Sequence, residues 1–111
     1  MKKLTKIQAS AKGEECTLRI DDYIHEPETV VLCHAPYPGR SGTRKDDWWA
    51  AYGCARCHDI VDGRTWKQIP REEMDRFWLR AIHETQSRLI EKGLIKVDGI
   101  EPGLPKLLKR R

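Results

Sequence analysis

Two thiols separated by two residues, Cys54 and Cys57, can grip one tetrahedral Zn²⁺ from a tight turn. They supply half a site. The other half must come from Cys16, His25, Cys33, His34, His58 or His83, and Cys16 with His25, which flank the first strand and turn, is the preferred second pair. That gives a Cys3His structural zinc site of Cys16, His25, Cys54 and Cys57. A redox reading of the same spacing needs a βαβ context that the sequence lacks. Cys54-x2-Cys57-His58 also matches the haem-attachment pattern, but covalent haem belongs to exported proteins and no signal peptide is visible in Met1 to Lys6.

His58 and Asp62 are four residues apart, so on a helix both project from one face and can chelate a divalent ion. His34 ends an apolar, β-branched run from Thr29 to Cys33, which makes it a histidine on a rigid strand. A histidine near its ordinary pKa can take a proton at neutral pH, and Asp47 can orient it. Cys33 itself reads as a small buried hydrophobe.

The elements that must position these groups follow from pattern. Cys16 to Ile20 reads as a short strand, Trp48 to Tyr52 as another, and Gly53 to Cys57 as a tight turn eased by Gly53 into a helix starting near Cys57 or His58. A long helix enters at Pro70 and stops at Gly93, with Met74, Phe77, Trp78, Ala81, Ile82, Thr85 and Leu89 on one face covering the core. Leu94 to Val97 reads as a short edge strand. His83 falls off the apolar face and reads as a surface residue. Trp48 and Trp49 are adjacent, so one packs inward and the other outward.

The layout of strand, loop, strand, knuckle and helix resembles the ββα-metal, or HNH, nuclease motif, and specifically the YbcO family of small prophage nucleases carried by lambdoid phages. The resemblance rests on Gly13-Glu14-Glu15-Cys16 with Arg19-Ile20, on Pro27-Glu28-Thr29-Val30-Val31-Leu32 running to His34, and on Cys54-Ala55-Arg56-Cys57-His58-Asp59 with Asp62 and Arg64-Thr65. It implies His34 as general base, Asp47 at a middle position that is usually Asn, and His58 on a catalytic divalent ion such as Mg²⁺; Asp62 is added here as a second ligand to that ion. Two departures stand out: Cys33 occupies a position where many HNH enzymes place an Asp ligand, and no cysteine stands near Ile24 or His25.

At 111 residues the chain has room for one small core, which excludes a multidomain enzyme and favours a metal staple. The expected fold is α+β: a zinc-stabilised ββα-metal domain, HNH-like and of treble-clef type, with a C-terminal covering helix. Its expected bounds are a basic arm at 1–12, the domain at 13–98 and a basic tail at 99–111. Lys plus Arg exceed Asp plus Glu by 21 to 17, which suits a polyanionic partner. Arg40, Arg44 and Lys45 in a Pro/Gly-rich loop, with the basic ends, are candidates for phosphate contact. The expected activity is metal-dependent DNA endonuclease, in phage recombination or DNA processing, in the cytoplasm and away from membranes. Phage or host recombination proteins and a homodimer are compatible partners. The alternative from another class is a catalytically inactive zinc-stabilised module that binds nucleic acid or protein.

Overall fold

The structure is a computed structural model and describes residues 3–21, 24–36 and 46–99. The chain order is helix α1 (Lys6–Ala9), a single 3-10 turn at Pro27–Thr29, strand β1 (Val31–His34), strand β2 (Ala50–Gly53), helix α2 (Ala55–Val61) and helix α3 (Arg71–Glu91). It is a small α+β fold built on one two-stranded antiparallel sheet, in which Val31 pairs with Gly53 and His34 with Ala50.

Every residue of β2 is buried: α3 packs on it, and the 16–20 segment lies against it with Thr17 and Leu18 N–H bonded to Tyr52 O. The small residues Ala50, Ala51 and Gly53 permit that double cover. A Cβ on Gly53 would lie 2.7 Å from Cys33 Sγ and 2.8 Å from Leu18 Cδ1. Its lack of a side chain therefore serves close packing, and the turn-easing role expected of it is replaced by this contact.

The face expected of α3 is the face it buries: Trp78, Ala81, Ile82, Thr85 and Leu89 are inside, with Met74 and Phe77 at the margin. Three asides of polar chemistry sew this helix to the rest. Thr85 and Thr17 hydroxyls lie 2.9 Å apart, and both accept from the Tyr52 N–H at 3.1 Å. Arg19 makes two parallel bonds to Glu84, at 3.0 and 2.9 Å. Arg88 pairs with Glu14 and Glu15.

Residues 16–20 are not a strand. Arg19 takes φ +39, in the left-handed region, and the segment's amides are engaged elsewhere. Thr17 and Leu18 N–H both donate to Tyr52 O, while those of Arg19 and Ile20 point at cysteine sulfurs. The edge strand expected at 94–97 is reduced to a bridge residue at Val97 behind a helix-closing turn: Gly93 has φ +77, and Leu94 and Ile95 N–H both donate to Leu89 O. Trp49 is the indole that packs on the core, and Trp48 is the exposed one. His83 is exposed.

The N-terminal segment also departs from the expected arm. Thr5 caps α1, Ile7 packs against the core and Ala11 is fully buried. A pattern of Thr5 and Gln8 three residues apart is a capping box, with each side chain bonded to the other's backbone N–H.

The close approach at Gly53 gives a direct test. Gly53→Ala is expected to destabilise the fold by about 1–3 kcal/mol through overpacking, and Cys33→Ala in the same chain to recover part of that loss, measured by urea unfolding. Equal stability of Gly53→Ala and the parent chain would refute the packing role.

Candidate metal cluster and catalytic cleft

Cys16, His25, Cys54 and Cys57 come together with their ligand atoms all within 4.8 Å of one another. Around one Zn²⁺, with Zn–S of about 2.3 Å and Zn–N of about 2.0 Å, such atoms stand about 3.5–3.8 Å apart. His25 Nδ1 already lies 3.2 Å from Cys54 Sγ and 3.5 Å from Cys57 Sγ. Its other nitrogen, Nε2, donates to Asp21 O at 2.9 Å, which leaves Nδ1 as the ligand atom. Asp21 is held in turn by Arg56 Nε at 2.6 Å.

The sulfurs are surrounded by backbone donors. Arg19 and Cys54 N–H point at Cys16 Sγ, Ile20 N–H at Cys57 Sγ and Cys57 N–H at Cys54 Sγ, at 3.4 to 3.5 Å. Such donors favour thiolate over thiol, which is the form that binds metal. The Cys16 thiol is pulled down to about 5, chiefly by the Cys57 thiol beside it, against burial and with help from the Arg19 and Cys54 amides. Cys57, the donor of that pair, is pushed up, and burial pushes Cys54 up. Three soft sulfurs and one imidazole, buried and ringed by amide donors, fit zinc.

The knuckle is itself the first turn of α2. Cys54 is the N-cap, its Sγ accepting from Cys57 N–H and its carbonyl from His58 N–H at 2.8 Å. The helix thus starts at Ala55, ahead of the expected Cys57 or His58, and Asp62 is its C-cap. His58 Nε2 and Asp62 Oδ2 nevertheless lie 3.2 Å apart, and Arg64 Nη1 reaches the same carboxylate oxygen at 3.0 Å.

A cleft of about 230 Å³ runs between the end of β1 and α2, lined by His34, His58 and Asp62 together with Leu32, Cys33, Pro36, Val61 and Trp78. His34 Nε2 lies 2.8 Å from Asp47 Oδ1. Asp47 is also bonded by Thr5 Oγ1 to Oδ2 at 2.7 Å and by Gln8 Nε2 to Oδ1 at 3.2 Å. Burial raises the Asp47 pKa, but the bonds from His34, Thr5 and Gln8 outweigh it and hold the carboxyl below its ordinary value. By linkage, this contributes stability above the unfolded carboxylate pKa of about 3.9 and is lost as pH falls through the lower folded value.

Cys33 is buried beside the cleft, its thiol pushed up to about 12 by that burial and then by the Asp62 charge, so it stays neutral. It offers no anionic ligand. Arg40, Arg44 and Lys45 lie outside the described residues. Thr5 and Gln8 are the site neighbours that the expectation of a basic arm passed over; their capping-box spacing was the available signal.

A two-stranded hairpin that leads through a cysteine knuckle into a short helix, with a Cys3His cluster at its base, defines a small α+β protein whose cluster is close enough to hold a metal ion. A family model described as "Putative nuclease YbcO" matches residues 5–94. The chain belongs to the YbcO family. Two similar proteins, "Putative nuclease YbcO" of Escherichia coli strain K12 and "Putative nuclease ybcO" of Enterobacteria phage 82, are each 39% identical over 62 residues, covering 53% of this chain and 65% of theirs. The match thus spans just under two thirds of those relatives. A solved structure of "a putative bacteriophage protein" from Escherichia coli K-12 MG1655 superposes with a TM-score of 0.62 at 31% identity, over 78% of this chain and 98% of that one. Among the described residues no helix is long and apolar enough to cross a membrane.

The cluster predicts one equivalent of zinc in the chain purified under reducing conditions. Binding free energy of a structural zinc, about 10–16 kcal/mol in small fingers, exceeds the whole stability of a domain this size, so a strong chelator is expected to unfold it cooperatively by circular dichroism. Cys16→Ser should lose the metal. An unchanged spectrum and melting temperature after chelation would contradict the assignment.

Proposed function

We propose that the chain is a divalent-metal-dependent endonuclease that hydrolyses phosphodiester bonds in DNA. In this reading β1, β2 and α2 form a ββα-metal unit, HNH-like and of treble-clef type, with zinc at Cys16, His25, Cys54 and Cys57. The observation that carries it is the shared cleft: His34, held by Asp47, lines the same cavity as the His58 and Asp62 pair. The relatives' names, each a nuclease, support the same class of activity. A place in phage recombination or DNA processing is part of the same proposal, and the phage source of one relative supports its phage setting.

The chemistry follows from the residues. With its proton on Nε2 and donated to Asp47, neutral His34 presents Nδ1 as an acceptor and takes a proton from the attacking water. The water oxygen bonds to phosphorus, the bond to the leaving oxygen breaks, and that oxygen takes a proton from solvent. Asp47 stabilises the imidazolium that forms on His34. An imidazole nitrogen and a carboxylate oxygen on one wall suit Mg²⁺ or a transition ion, and such an ion on His58 and Asp62 would offset charge developing on the phosphate. Arg40, Arg44 and Lys45 and the basic chain ends would grip phosphates without reading sequence.

Cys33 favours one rival. A neutral, buried thiol in place of an acidic ligand leaves the ion with one oxygen fewer, as in a zinc-stabilised binding module that has lost catalysis.

Nicking of supercoiled plasmid across Mg²⁺, Mn²⁺, Ni²⁺ and Zn²⁺ separates the two. The enzyme reading expects cleavage only with added metal, a fall of about 10²–10⁴-fold in His34→Ala, and no change in His83→Ala, whose side chain is exposed on α3. Absence of cleavage, or equal cleavage by His34→Ala, would select the binding module.

A further inference from the structure

We infer that α1 is a positioning element of the cleft: Thr5 and Gln8 fix the Asp47 carboxylate so that His34 keeps its proton on Nε2. This rests on the proposed function for its catalytic meaning, though its geometry does not. Each residue of the capping box has two polar functions and divides them. Thr5 Oγ1 accepts from Gln8 N–H at 3.0 Å and donates to Asp47 Oδ2 at 2.7 Å. Gln8 Oε1 accepts from Thr5 N–H at 3.1 Å, and its Nε2 donates to Asp47 Oδ1 at 3.2 Å. The helix cap and the clamp on Asp47 are therefore one network, spanning some forty positions of sequence.

Physical consequences follow for the histidine. A carboxylate on a turn can rotate about its side-chain torsions, and rotation would break the 2.8 Å contact to His34 Nε2. Donors on both oxygens remove that freedom. With Asp47 fixed as an acceptor, the ring must place N–H at Nε2, which leaves Nδ1 to receive a proton. Loss of the clamp leaves His34 free to exchange tautomers, and only one of them can act as base from the same ring position. A four-residue helix is too short to hold itself together in water, so α1 depends on this contact and on Ile7 and Ala11 in the core. Thr5 and Gln8 act through Asp47 and touch no substrate, which makes them positioning residues.

The test reads the tautomer directly, by nitrogen-15 to ring-proton correlation NMR on the full chain, alongside plasmid nicking. The parent chain and Thr5→Ser, which keeps the hydroxyl, are expected to show His34 as the Nε2–H tautomer. Thr5→Val with Gln8→Leu is expected to show averaged nitrogen shifts, with kcat down about tenfold and KM within about twofold. Circular dichroism and the zinc content of the double variant confirm that it is folded. An unaltered Nε2–H signature in that folded variant would overturn the proposal. If it does not fold, Gln8→Leu alone serves, with the same shift toward averaged signals expected and an unaltered signature again decisive. Should the parent chain fail to cleave while the tautomer responds as expected, the nuclease reading falls and the positioning role stands.

Discussion

The cluster of Cys16, His25, Cys54 and Cys57 is the constraint on which the other contacts depend. Two strands of four residues make too small a sheet to stand alone in water, and the core of a chain this short gains little from apolar burial. The cluster ties the irregular residues 16–21, and with them His25, to the start of α2, and the amides of residues 17–20 find partners in the sulfurs and in Tyr52 O. With the segment fixed, Leu18 seats against Gly53, and Thr17 meets Thr85 from the covering helix. The Cys3His cluster thus organises a core as well as a turn.

The cleft inherits its rigidity from the same arrangement. His58 and Asp62 sit on a helix whose N-cap is Cys54, so any shift of the cluster moves them directly. His34 sits at the end of β1, fixed by its register opposite Ala50, and Trp78 of α3 closes the wall between. The remaining degree of freedom is the orientation of the His34 ring, and Asp47 restrains it from a turn that α1 secures. Three separate stretches of chain thereby converge on one imidazole.

Much of this was legible in the residues, for identifiable reasons. The covering helix showed because its buried face repeats at helical spacing over 21 residues between Pro70 and Gly93. The Cys3His set was readable because two thiols separated by two residues can grip one tetrahedral ion from a turn, and the structure brings those four side chains within reach of one ion. The 16–20 segment misled because alternation signals a strand only when its amides face another strand; here Arg19 turns at positive φ and sulfurs take the donors. The role of Gly53 was invisible locally, since the crowding atoms belong to Cys33 and Leu18. Thr5 and Gln8 carried a capping signal, but their contact with Asp47 is some forty residues distant, and no local pattern encodes it.

In the proposed enzyme one cleft joins a proton acceptor on β1 to a divalent-ion site on α2. A crystal of the full chain grown with Mn²⁺ and a short DNA duplex, measured at the manganese edge, tests it most directly. An anomalous peak is expected about 2.0–2.6 Å from His58 Nε2 and an Asp62 oxygen, with a phosphate oxygen on the same ion and His34 facing that phosphate. A peak elsewhere, or DNA seated on another face with the cleft open to solvent, would contradict it.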